Sequence, residues 1–290
     1  MSERAANLRA KAELLSSPWP PLFLAARRLA ASLTLGLHGR RRTGRGESFW
    51  QYRHYQWGDP ARTIDWRQSA RSDDVYIRET EWSVAASLWI WIDTGPSMDW
   101  RSSEQLPTKA ERAALLALSI AALAAQAGEQ VTLAGMDAAP SAHESNLVRM
   151  AEALTVAKPK PRPTPDQIPQ NAEVILFSDF ESPLEEIESN LSLLAEKRAQ
   201  VTLVHVADPA EEQLPYDGHI LFSDPARPLA VRVPDAKALK PDYQAKRAAH
   251  KAGLVDLAKK RGWWLHSHST DRPASTALLA LHAGLSTEQA

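Results

Sequence analysis

A chain of 290 residues suits one large domain with extensions, or two small ones, and its 44% hydrophobic and 24% charged residues supply a core and argue against global disorder. Thirty-four basic against thirty-five acidic residues give a formal charge of −1, which removes any whole-chain argument for nucleic acid, and none is expected as a partner. The lack of cysteine excludes disulfides, thiolate zinc sites and cysteine nucleophiles, and fits a reducing compartment, with the cytoplasm as the default location.

In chain order, the first apolar stretch is cut by Arg27 and Arg28 and falls short of the roughly 20 apolar residues that a spanning helix needs. Residues 22–35 are therefore expected to form an amphipathic or buried packing helix. It lies within an N-terminal helical arm, residues 1–37, that supports at most loose, salt-sensitive membrane association and no membrane span.

Residues 38–82 pack arginine and aromatic side chains densely between glycines. Arg40, Arg41, Arg42 and Arg45 beside Trp50, Tyr52 and Tyr55 have the types needed to contact phosphates and stack on bases. Glu47, Asp59, Asp65, Asp73, Asp74, Glu79 and Glu81 dilute that charge, so arginine–carboxylate pairing in a folded segment packed on the main domain is the expectation. Trp57 to Pro60 reads as a tight turn, and Asp65-Trp66-Arg67 as an anchor against the main domain.

From residue 83 to 290, short apolar strands alternate with longer helical patterns. Strands are expected at 84–92, 131–136, 173–177, 201–206 and 263–267. Helices are expected at 109–127, 146–157, 184–198 and 243–261, with a closing Ala/Leu-rich helix. The series predicts an α/β fold, a mostly parallel Rossmann-like sheet with helices on both faces. Prolines bound two short runs between 220 and 234, which read as an inserted hairpin or edge pair, and the prolines of 158–169 mark a connecting loop or an exposed arm.

Asp93 and Asp179 follow the apolar runs ending at Ile92 and Phe177. Ligands of open α/β sheets gather beyond the carboxyl ends of strands. Parallel neighbouring strands would turn both aspartates, with the Ser97 hydroxyl, toward one crevice. Such oxygens suit Mg²⁺, and the plainer reading is that each aspartate caps its own turn. Asp93-Thr94-Gly95 also has the form of an aspartic-protease triplet, but that chemistry needs two carboxylates sharing a proton, and a long helical pattern follows here. His205, His266 and His268 show no ligand spacing, and no phosphate-cradling G-x-x-x-x-G-K-S/T string occurs.

The strings Gly46-Glu47-Ser48-Phe49, Arg53-His54-Tyr55-Gln56-Trp57-Gly58-Asp59, Arg62-Thr63-Ile64-Asp65-Trp66-Arg67-Gln68-Ser69-Ala70-Arg71 and Arg78-Glu79 resemble the domain of unknown function 58 family. The likeness continues through residues 93–98, Ser178-Asp179 and 243–264. It implies a von Willebrand factor A-like domain preceded by a family-specific segment, in a family often encoded beside MoxR-type AAA+ ATPases. The family-motif positions expected to be structural are Arg53, Tyr55, Gly58, Asp59, Arg62, Asp65, Trp66, Arg67, Ser69 and Arg71. The resemblance also implies a metal-ion-dependent adhesion site of the form Asp-x-Ser-x-Ser, with a distant threonine and a further aspartate. Asp93, Ser97 and Asp179 match it, Gly95 stands where the first serine belongs, and Ser145 is the substitute for the threonine. The expected function is a non-enzymatic protein-binding module or adaptor working with a MoxR-type AAA+ ATPase in assembly or activation of a target complex. Asp93, Ser97, Asp179 and Ser145 would form the docking residues of a partial site that holds Mg²⁺ weakly. The alternative is a Mg²⁺-dependent hydrolase using the same strand-end aspartates.

Overall fold

The structure, a computed structural model, describes residues 21–36, 49–55, 66–69, 74–80, 87–156, 167–225 and 229–287. The chain divides into two compact units, Arg40–Ala86 in one and Met1–Gly39 with Ser87–Ala290 in the other.

In the smaller unit, β1 (Phe49–His54) pairs antiparallel with β2 (Tyr76–Thr80), and the register shifts between Phe49 and Gln51. A single-turn helix, α2 (Trp66–Ser69), is tied to β2 because the Tyr76 N–H donates to Ser69 Oγ at 2.8 Å. The Tyr55 N–H donates to Val75 O at 2.8 Å and extends the ladder by one bond. Of the family-motif residues, Gly58, Asp59, Arg62, Asp65 and Arg71 lie outside the described residues, as does the Arg53 side chain. Trp66 is the first residue of α2.

The larger unit is built on a five-stranded sheet with every pairing parallel: β3 (Ser87–Ile92), β4 (Gln130–Leu133), β5 (Glu173–Ser178), β6 (Gln200–Ala207) and β9 (Trp264–Ser269). Their order across the sheet is β4-β3-β5-β6-β9. The direction of winding therefore reverses between β3 and β5, which makes the gap beyond their carboxyl ends the topological switch point. Successive residues of a strand point to opposite faces, and both faces are covered here. Leu88, Ile90 and Ile92 face a cluster completed by α1 (Pro21–Gly36), α3 (Lys109–Gln126), α4 (Glu144–Val156) and α8 (Ala274–Thr287). Trp89 and Trp91 face the opposite cluster with Val174, Leu176 and residues of α5 (Leu184–Glu196) and α7 (Ala236–Arg261).

Helix α1 shows how the first apolar stretch is used. Phe23, Ala26, Ala30 and Leu33 recur at helical spacing and are buried against the core, while Arg27 and Arg28 are exposed. Its length serves packing, and among the described residues no helix is long and apolar enough to cross a membrane.

Helix α7 begins at Ala236, earlier than the expected residue 243, and runs through Pro241. Asp235 starts it by accepting hydrogen bonds from the Lys237 and Ala238 N–H groups, and Pro241 leaves the helix without the N–H that would reach the Lys237 carbonyl. The runs near 220–234 form an antiparallel hairpin of their own, β7 (Ile220–Ser223) with β8 (Ala230–Val233), outside the main sheet.

Candidate functional site

At the switch point, the Asp93 N–H donates to Phe177 O at 2.8 Å, which carries the β3–β5 ladder to the edge where both chains leave the sheet. Asp93 then turns its carboxylate back on its own loop. Oδ1 accepts the Gly95 N–H at 2.8 Å and Oδ2 accepts the Ser178 hydroxyl at 2.6 Å. A β-carbon placed on Gly95 would lie 3.1 Å from Asp93 Oδ1 and 3.9 Å from Ser97 Oγ, so glycine lets the loop close down on the carboxylate. Asp93 thus acts as the cap of its turn, Ser97 follows in the 3-10 turn Pro96–Asp99, and the Ser178 hydroxyl links this loop to the end of β5.

Asp179, 3% exposed, meets a cation of the protein itself. The Lys109 ammonium, 1% exposed, donates to Asp179 Oδ2 at 2.9 Å and to Glu211 Oε1. Lys109 is the first residue of α3, where Thr108 and Glu111 form a reciprocal capping box. A cation is electrostatically unfavourable at a helix N-terminus, so the position is sustained by its two carboxylates. Burial disfavours the Lys109 charge, yet Asp179 and Glu211 outweigh it and hold the ammonium above its ordinary pKa. For Glu211 burial wins over the pull of Lys109, and its pKa is raised.

Glu211 comes from α6 (Pro209–Gln213), a short helix that starts directly after β6. Asp208, fully buried, caps α6 through the Ala210 N–H at 2.8 Å and holds the 101–103 loop through the Ser102 N–H at 2.9 Å. The crevice wall thus contains a third strand-end aspartate, and both its oxygens serve the backbone. Between Asp179 and Glu181, Phe180 adopts left-handed backbone geometry at φ 47°. It is fixed there by its N–H on Ser178 Oγ at 3.1 Å and by His250 Nε2 donating to its carbonyl at 2.7 Å. Such a conformation costs on the order of 1–3 kcal/mol and persists where neighbours over-determine it.

The structure brings Asp93, Ser97 and Asp179 to one end of the sheet but does not bring Ser145 there. Ser145 lies in the first turn of α4, and its neighbour Asn146 donates to Val131 O at 2.8 Å. Val131 pairs with Leu88, five residues before Asp93, or about 16 Å down the strand. The cause is the turn after β4, which folds back so that Ser141 bridges Val131 antiparallel and α4 starts near the amino end of β4.

The donor set decides how well a divalent ion would fit. Both Asp93 oxygens accept donors from the chain, Asp179 Oδ2 is occupied by an ammonium, and Gly95 has no hydroxyl. Among the described residues no group of three or more His, Cys, Asp or Glu is arranged to hold an ion. These residues do not fit a tightly held Mg²⁺, which requires near-octahedral oxygen ligation. Lys109 and Glu211, which complete the network, carry sequence signals of their own. A lysine immediately after an N-cap is out of place unless paired, and Asp208-Pro209-Ala210-Glu211 has the cap, first-turn proline and third-position glutamate of a helix start.

The sequence matches the family model described as "Protein of unknown function DUF58" over residues 51–253. Uncharacterized proteins of Mycobacterium tuberculosis and Mycobacterium bovis are each 25% identical to it over 254 residues, covering 79% of this chain and 76% of theirs.

Proposed function

We propose, from the premise that the chain belongs to the DUF58 family, that it is a non-enzymatic docking module working with a MoxR-type AAA+ ATPase in assembly or activation of a target complex. The observation that carries this reading is the switch-point crevice itself. Ligands of such sheets bind there, and the loops that border it are braced by Asp93, Ser178 and the Lys109 network. A rigid loop surface beyond the strand ends is suited to a protein segment, because little ordering remains to oppose binding. Asp179 already has its own ammonium partner in Lys109, so no exchangeable ion is needed to neutralise it here. The same donor set favours docking over Mg²⁺-dependent hydrolysis, since the carboxylates a hydrated ion would need are already engaged by the chain.

Two measurements test this reading. Calorimetric titration with Mg²⁺ is expected to show at most weak, millimolar-range binding, and tight binding would contradict it. The tagged protein, recovered from its own cell, is expected to bring down the ATPase equally with Mg²⁺ or a chelator during capture. Asp93→Ala, which releases the Gly95 and Ser178 bonds, should lose the partner while remaining folded. Undiminished capture by that variant would remove the crevice as the docking point.

A further inference from the structure

Beside the crevice opens a cavity of about 410 Å³ whose lining joins two chemistries. Trp100, Tyr216, Phe222 and Tyr243 give it aromatic walls, and the charged side chains among the described lining residues are all acidic: Asp179, Glu181 and Glu211. The rings are held in place. Tyr216 and Phe222 meet edge to face at 5.9 Å, and the Tyr243 hydroxyl donates to Glu211 O at 2.5 Å.

The compensating cations approach these carboxylates from outside the lining. Lys109 pairs with Asp179 and Glu211 at 1% side-chain exposure, and Arg247, 10% exposed, pairs with Glu181 at 2.5 Å. Three carboxylates against two cations leave one uncompensated negative charge, and Glu211 and Glu181 keep side-chain exposures of 20% and 38%. The β7–β8 hairpin extends the apolar surface outward. Ile220 and Phe222 share one face with Val231, which is 51% exposed, while Leu221 at the cavity edge, 60% exposed, lies on the other face opposite Arg232.

Resting on the docking reading above, we propose that this cavity accepts the arginine side chain of an extended segment of the partner protein, with an apolar neighbour of that arginine against Leu221. A guanidinium is the group that answers both features at once. Its flat face stacks on aromatic rings, and its forked N–H donors match carboxylates. An uncharged chain of equal length would leave the acidic wall unanswered, a lysine would satisfy the charge without the fork, and a glutamate would be repelled.

Fluorescein-labelled Ala-Leu-Arg-Leu-Ala amide, titrated against the full chain and followed by anisotropy, tests the proposal alongside versions with lysine, norleucine or glutamate at the centre. The arginine peptide is expected to bind about tenfold or more tightly than the norleucine peptide, with lysine between them and glutamate weakest. Glu181→Gln should remove most of that preference, and Phe222→Ala should weaken both cationic peptides, in proteins whose melting curves show them folded. Equal affinity for arginine and norleucine, no saturable binding of any peptide, or an undiminished preference in Glu181→Gln would overturn it. Failure of the peptide arm while Asp93→Ala still abolishes partner capture removes the arginine cavity alone. Undiminished capture by Asp93→Ala removes the docking reading, whatever the peptides do.

Discussion

Lys109→Met is expected to destabilise the protein by about 3–5 kcal/mol, the usual consequence of removing one member of a buried ion pair. The ammonium is 1% exposed and its partners, Asp179 and Glu211, are 3% exposed and part-buried. Methionine fills nearly the same volume, so the loss reports electrostatics more than packing. Glu211, whose pKa burial already raises, would then lose the cation that opposes that rise and would take up a proton more readily. The loss relative to the parent is therefore expected to shrink on mild acidification. Urea denaturation of both proteins at two pH values measures the loss and its pH dependence together. A change below about 1 kcal/mol would mean that the Lys109 network is peripheral to the fold.

The second large effect is acid sensitivity of the parent. His205 and His268, 2% and 5% exposed, have pKa values lowered from 6.5 to about 4. Burial is the main cause for both. Arg247 and Lys251 add to it around His205, against Glu212 and Asp179. Arg112, His266 and Arg272 add to it around His268, against Asp271. His268 Nε2 also faces Arg112 Nη1 at 2.9 Å, a contact that requires the neutral ring as acceptor.

An unfolded histidine takes up its proton near pH 6.5, while these folded ones resist until about pH 4. The stability they contribute is thus complete above pH 6.5 and is lost progressively as pH falls to about 4. At 1.36 kcal/mol for each pH interval of one, that is about 3 kcal/mol for each histidine. The raised Glu211 carboxyl acts in the opposite sense and offsets part of the loss. Denaturation midpoints measured across this range are expected to fall with acidification, and His205→Gln and His268→Gln should each flatten the slope. A pH-independent midpoint in the parent would contradict the buried, neutral state of both rings.

Much of the larger unit is readable in the sequence because its strands are buried on both faces, so that Ser87–Ile92, Glu173–Ser178 and Gln200–Ala207 appear as near-continuous apolar runs. The crevice follows from that pattern, since parallel neighbours place residues after their carboxyl ends together, and Asp93 and Asp179 are such residues. The position of Ser145 was not readable, because it depends on the antiparallel bridge from Ser141 to Val131, a long-range event with no local periodicity. Pro241 misplaced the start of α7, as proline usually bounds a helix and here lies inside one. Lys109 and Glu211 carry only local helix-start signals in the sequence, and it is their pairing across 102 positions of chain that turns them into a site.

The central claim, that the carboxyl-end crevice and its adjoining cavity form the docking surface, is tested most directly by photo-crosslinking in the cell. A photoreactive side chain at position 221, exposed at the cavity edge, is compared with one at position 130, exposed at the opposite end of the sheet. Adducts at position 221 containing a AAA+ ATPase or its client, absent at position 130, are the predicted result. Adducts confined to position 130, or none at position 221 in a folded and expressed protein, would contradict the account.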